Sequence, residues 1–105
     1  MYRSFKKIYG ETTIRLETIE EIADPRIIKL KYYQTRNKNS KKHEKQYGVG
    51  VIKTEIRKNE LNEEKQEFNN IFEQKTQADD LLKMLLKNKV TPIDLRYVLE
   101  DLVLQ

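Results

Sequence analysis

From Thr12 the chain alternates, with Ile14 and Leu16 apolar and Thr13, Arg15 and Glu17 polar. That is the period of a strand with one buried face, and it predicts a first strand over residues 12–22. Ala23-Asp24-Pro25 is a turn signal, because proline has no N–H to give a ladder. Residues 27–35 (IIKLKYYQT) predict a second strand, with Ile28, Leu30 and Tyr32 on one face and Lys29, Lys31 and Tyr33 on the other. Residues 46–58 (QYGVGVIKTEIRK) are rich in β-branched side chains and predict a third. A short polar segment joins the last two, so an antiparallel hairpin is the expected pairing. Setting Thr35 opposite Lys45 brings Tyr32 opposite Gly48, Leu30 opposite Gly50 and Ile28 opposite Ile52. Large side chains then cover both glycines. Residues 59–65 are polar and acidic and read as a loop. Residues 67–72 (EFNNIF) satisfy either period; their shortness favours a fourth strand with Phe68 and Phe72 on one face.

The remaining chain has helical spacing. Thr76 with Asp79 three residues on resembles a capping box. Asp79 and Asp80 in a first turn suit the helix dipole, and Leu81, Leu82, Leu85 and Leu86 form an apolar stripe. A helix is predicted over residues 77–87. Thr91 as N-cap and Pro92 at the first helical position start a second, in which Leu95, Val98, Leu99 and Leu102 recur to the end of the chain. With the short turn 88–90 between them, the two form a helix-turn-helix-like pair.

Composition bounds this picture. One domain over residues 1–105 is expected, with apolar residues at 37 % and charged ones at 36 %. So small a core predicts a homodimer that buries the remaining apolar surface. The chain has no cysteine, and MYRSFKKIYG has no apolar run of signal-peptide length. No stretch approaches the roughly 18 apolar residues of a membrane span. A soluble, cytoplasmic protein without membrane association is expected.

The charge is segregated along the chain. Residues 1–28 carry five basic and five acidic side chains, residues 29–58 ten and two, and residues 59–105 six and ten. A concentrated field of this kind steers a polyanion, whereas scattered charge does not.

Catalytic chemistry finds no foothold in the sequence. His43 precedes Glu44, but the second histidine of a zinc-protease motif would stand where Tyr47 does. Adjacent acids such as Asp79-Asp80 and Glu100-Asp101 point about 100° apart on a helix and do not converge. Ser4 and Ser40 have no histidine-based triad around them. Gly48-Val49-Gly50 lacks the third glycine and following helix of a phosphate-binding loop. No enzyme activity, metal or cofactor is expected.

What stands out is the hairpin tip, TRNKNSKKHEK. A two-stranded ribbon fits the major groove of duplex DNA. Lys31, Lys38, Lys41, Lys42, His43 and Lys45 would meet phosphates. Arg36 has the fork for a bidentate contact, and Gln34, Asn37, Asn39 and Ser40 have the donors and acceptors for bases or phosphates. These eleven are the candidate DNA-binding residues. Tyr32, Tyr33 and Tyr47 flank the tip; cross-strand packing is the favoured role for them over stacking on unpaired bases. The helices, with four basic and five acidic groups over residues 76–105, suit the core and a dimer contact better than DNA. The alternative is a non-catalytic interaction module that recruits a protein through an acidic helical face.

QYGVGVIKTEI and, after a spacer, LLKMLLKNKVTPIDLRYVLEDLVL resemble a clostridial family of small domains of unknown function. The likeness rests on the Tyr47-Gly48 strand, Val90-Thr91-Pro92, Leu95 and Asp101-Leu102-Val103, and implies no activity. Size, element order and the basic hairpin also resemble the TcpK family, winged helix-turn-helix accessory proteins of conjugative-plasmid relaxosomes. That resemblance implies a dimer that contacts origin-of-transfer DNA through a β-wing, beside a relaxase or other transfer protein. The expectation is an α+β, winged helix-turn-helix-like fold. Its function would be duplex DNA binding through the wing, at a transfer origin or in transcriptional control.

Overall fold

The computed structural model describes residues 4–16, 25–38, 41 and 44–103. Four strands come first: β1 (Ser4–Leu16), β2 (Arg26–Asn37), β3 (Tyr47–Arg57) and β4 (Glu60–Phe72). Two helices follow, α1 (Lys75–Lys87) and α2 (Pro92–Val103). The strands form one sheet in the order β1-β2-β3-β4, with every neighbouring pair antiparallel.

This order overturns the winged helix-turn-helix expectation. In a winged helix the helices come first and the hairpin is appended to them. Here all four strands precede both helices, and the basic hairpin β2–β3 is the centre of the sheet. The helices lie across one face. Leu81, Leu82 and Leu85 of α1 and Leu95 and Leu99 of α2 bury against Leu30, Tyr32, Val49 and Val51. Burial contributes about 1.5–3 kcal/mol for each such leucine, so this layer holds the sheet in shape. Tyr32 ties the layers together, its hydroxyl donating to the Val90 carbonyl at 2.9 Å. Burial pushes the Tyr32 phenol up to about 12. Among the described residues, the other face of the sheet carries no helix.

The hairpin register differs from the one expected. Tyr33, not Leu30, stands opposite Gly50, and Thr35, not Tyr32, opposite Gly48. The faces of β2 are as the alternation predicts, but the glycines belong to the helix-free face. A Cβ on Gly50 would overlap the Tyr33 ring. That is why a tyrosine only 1 % exposed sits on a face with no helix to cover it.

Two bulges shape one end of the sheet. The β1–β2 register shifts between Ile8 and Gly10. Lys6 therefore reaches Glu67 on the open face, while Gly10, also even-numbered, faces Leu86 of α1. The bulge keeps Phe5, Lys7 and Tyr9 on the helix side of the sheet. In β4, residues 69–71 stand opposite Gly48 alone, with Asn70 at φ 55°. The bulged backbone crosses so closely that a Cβ on Gly48 would overlap the Phe68 carbonyl.

Other boundaries also moved. β1 begins at Ser4, eight positions before the first predicted strand residue. The expected continuation over 17–22, Ala23 and Asp24 of the turn, and helix residues 104–105 fall outside the described residues. Of the expected loop over 59–65, residues 60–65 are strand. Lys58 and Asn59, at φ 47° and 66°, make a two-residue turn of the left-handed type that matches strand twist. The first seven residues of β4 are exposed on an edge, so no apolar alternation marks them. Helix α1 starts at Lys75: Gln77 Oε1 accepts from the Gln74 N–H at 3.1 Å, in place of the predicted Thr76 cap. Pro92 opens α2, and Thr91 donates to Asp94 Oδ2 at 3.1 Å.

Candidate nucleic-acid interface

The start of β1, the end of β2, the start of β3 and the start of α1 meet at one end of the sheet. Arg36 pairs with Phe5 on one side and Tyr47 on the other. Its guanidinium lies 5.5 Å from the Tyr47 ring centroid, and Lys38 Nζ lies 4.0 Å from that of Phe5. Both are within the range at which a cation is attracted to an aromatic face. Lys7 stands beside Gln34 in the register. A 320 Å³ cleft opens here, lined by Phe5, Lys7, Gln34, Arg36, Lys38, Tyr47 and Lys75 among others. A second, of 380 Å³, adjoins it and is lined by Lys7, Ile8, Tyr9, Gln34, Lys75 and Asp79.

The anionic group beside these clefts is occupied. Asp79 accepts from Gln34 Nε2 and from Lys75 Nζ, each at 2.8 Å. Its hydrogen bond and charge raise the Lys75 ammonium above its ordinary value. By contrast, the side-chain cations of Lys7, Arg36, Lys38, Lys41 and Lys45 have no carboxylate partner among the described residues.

The structure brings some predicted site residues together and separates others. Arg36, Lys38, Lys41 and Lys45 are exposed at this end. Two hydrogen bonds join Lys41 and Glu44, with Glu44 N–H donating to Lys41 O at 3.0 Å and Lys41 N–H to Glu44 Oε1 at 3.2 Å. Asn37 ends β2, its N–H donating to Gln46 O at 2.8 Å. Gln34 is only 7 % exposed and spends its amide N–H on Asp79, so it lines the clefts rather than the tip. Lys31 lies about 17 Å back along the strand from Arg36 and on the opposite face. Asn39, Ser40, Lys42 and His43 lie outside the described residues. Sequence reasoning missed Phe5, Lys7, Tyr9 and Lys75. The signal is the interleaving of basic and aromatic residues in FKKIY.

Tyr32 and Tyr33 are both buried, which leaves Tyr47 as the flanking tyrosine at the cleft. Tyr33 anchors a separate cluster on the open face. Its hydroxyl donates to Glu67 Oε1 at 2.7 Å, and Lys6 and Lys65 approach the same oxygen at 3.2 and 3.8 Å. Burial, and then Glu67, drives the Tyr33 phenol well above its ordinary range. Burial works to raise the Glu67 carboxyl, but hydrogen bonds from Tyr33, Asn69 and Lys6 outweigh it and hold the group below its ordinary value.

No curated protein and no solved structure matches this chain. The likeness to relaxosome accessory proteins therefore has no support beyond the sequence features that raised it. A family profile does match, over residues 11–105, and the chain belongs to that family, the family of unknown function DUF6514.

Proposed function

We propose that the protein is a non-catalytic DNA-binding protein whose contact surface is the basic end of its sheet. One observation carries this reading. The side-chain cations of Lys7, Arg36, Lys38, Lys41 and Lys45 gather at that end with no carboxylate partner among the described residues, and two of them rest on aromatic rings. Unneutralised cations on a β-ribbon suit a phosphate backbone, where each contact releases counterions. With the winged-helix order gone, the surface alone supports the reading, and it names neither a transfer origin nor a promoter.

The interaction-module alternative loses ground in the structure. Asp79 is held by Gln34 and Lys75, Asp94 by Thr91, and Glu100 by Arg96 at 3.2 Å. Asp80 and Asp101 stay exposed, too few and too separate on the two helices to make a continuous acidic face.

The test is an anisotropy titration of a labelled random-sequence duplex at several salt concentrations. Four or five phosphate contacts give a slope of log K against log salt of about −4 to −5. Replacing Arg36, Lys38 and Lys41 together by alanine flattens it by about three units. An unchanged affinity and slope in the folded triple variant would sink the proposal.

A further inference from the structure

Phosphate contact alone does not account for the aromatic residues at the basic end. Phe5 is 45 % exposed and Tyr9 40 %, on an edge strand where charged or small side chains would suffice. Each lines one of the two adjoining clefts, and Lys7, Gln34 and Lys75 belong to both. The two aromatics are four residues apart on β1, about 13 Å. The β1 bulge keeps both on the same side as the shared lysines. Ring, lysines, ring is therefore the sequence met along this edge.

A duplex meets lysines with its phosphates, but its bases stay stacked and turn only their edges outward. An unpaired strand offers base faces, and every base has one. At 320 and 380 Å³, each cleft is near the low end of small-ligand sites, about 300–1,000 Å³, which suits a base with its sugar rather than a helix. Lys38 over Phe5 adds a switchable cover. A phosphate beside the ring draws the ammonium away and bares the face for stacking. Gln34 sits on the wall common to both clefts, and its Oε1 receives no donor among the described residues. It is an acceptor placed for a base amino group.

We infer that the two clefts bind an unpaired DNA strand, its bases on Phe5 and Tyr9 and its intervening phosphate on Lys7, beside the Lys75–Asp79 pair. This rests on the DNA-binding reading and narrows it: the preferred ligand is DNA with a single-stranded segment. The experiment compares a short labelled single strand with a blunt duplex of the same sequence, in the full chain and in Phe5→Leu and Tyr9→Leu. Both residues are substantially exposed, so the leucine variants should fold, and circular dichroism confirms it. The wild type should prefer the single strand. Each substitution should weaken single-strand binding about 5- to 100-fold while duplex affinity moves less than about twofold. Duplex binding without single-strand preference overturns the inference and leaves the DNA reading standing. Single-strand binding that survives both substitutions also overturns it. Binding to neither ligand removes both.

Discussion

At the end of the sheet where β2 gives way to the basic tip, Arg36 and Lys38 rest on aromatic rings; farther along, several basic residues stand across from carboxylates. Arg57 pairs with Glu60, and Lys53 with Glu64, across the β3–β4 ladder. Arg26 reaches Glu55 at 3.4 Å. Around Arg36 the ladder neighbours are Phe5 and Tyr47 instead. The same strands thus carry basic residues into two settings. Opposite-charge cross-strand pairs are worth a few tenths to one kcal/mol and cancel the local field. Cation–aromatic pairs hold the side chain in place but leave its charge available to an incoming anion. The number of lysines is therefore a poor guide to a polyanion surface; what stands across the ladder from them is a better one.

The backbone differs between the two ends as well. The far end closes in a two-residue turn through Lys58 and Asn59. The basic end is bent by bulges in both edge strands, and the one in β4 presses on Gly48.

The largest expected effect comes from exchanging charge for alanine at each end. Arg36, Lys38 and Lys41 replaced together should weaken duplex binding about 10²–10³-fold at low salt. Arg57 and Lys58 replaced together should change it by less than about threefold, measured by the same titration. Equal losses at both ends would erase the distinction. Next is Gly48→Ala, which must displace the bulged backbone at Phe68 and should cost about 3 kcal/mol in urea unfolding. At the far end, Asn59→Gly stays within about 0.5 kcal/mol, because glycine accepts the same left-handed backbone.

Tyr32→Phe should cost about 1–2 kcal/mol, since the buried Val90 carbonyl loses its donor. The smallest effect is the pH response of Glu67, which pairs with Lys6 near the basic end. Its folded-state value lies below its ordinary 4.5, so its contribution is fully present above about pH 4.5 and fades as the pH falls through the folded value. Glu67→Gln should lower stability at pH 7 by about 1 kcal/mol and flatten the acid limb of stability against pH. An unaltered acid limb would show that Lys6, Lys65 and Tyr33 gain nothing from the charge.

Local information sufficed where one residue's neighbours in sequence are also its neighbours in space. The alternation in IIKLKYYQT marked a strand and its two faces, and the leucine stripe marked α1. Pro92 marked the start of α2, because proline suits the first helical position whatever packs around it. Four of the predicted contact residues, Arg36, Lys38, Lys41 and Lys45, are exposed together because a polar hairpin tip has nowhere else to go.

The rest depended on contacts between distant segments. Nothing near Thr35 says that β3 slides until Tyr33 covers Gly50, or that β4 bulges over Gly48; both follow from packing the whole sheet under two helices. Gln34 has a tip-like side chain but is claimed by Asp79, 45 residues away. Phe5 and Lys7 join Arg36 only because β1 runs antiparallel beside β2. Periodicity reports which side of a strand is buried, and charge counts report how much field there is. Which cations keep that field open to solvent is a matter of cross-strand partners, and those are fixed only when the chain closes on itself.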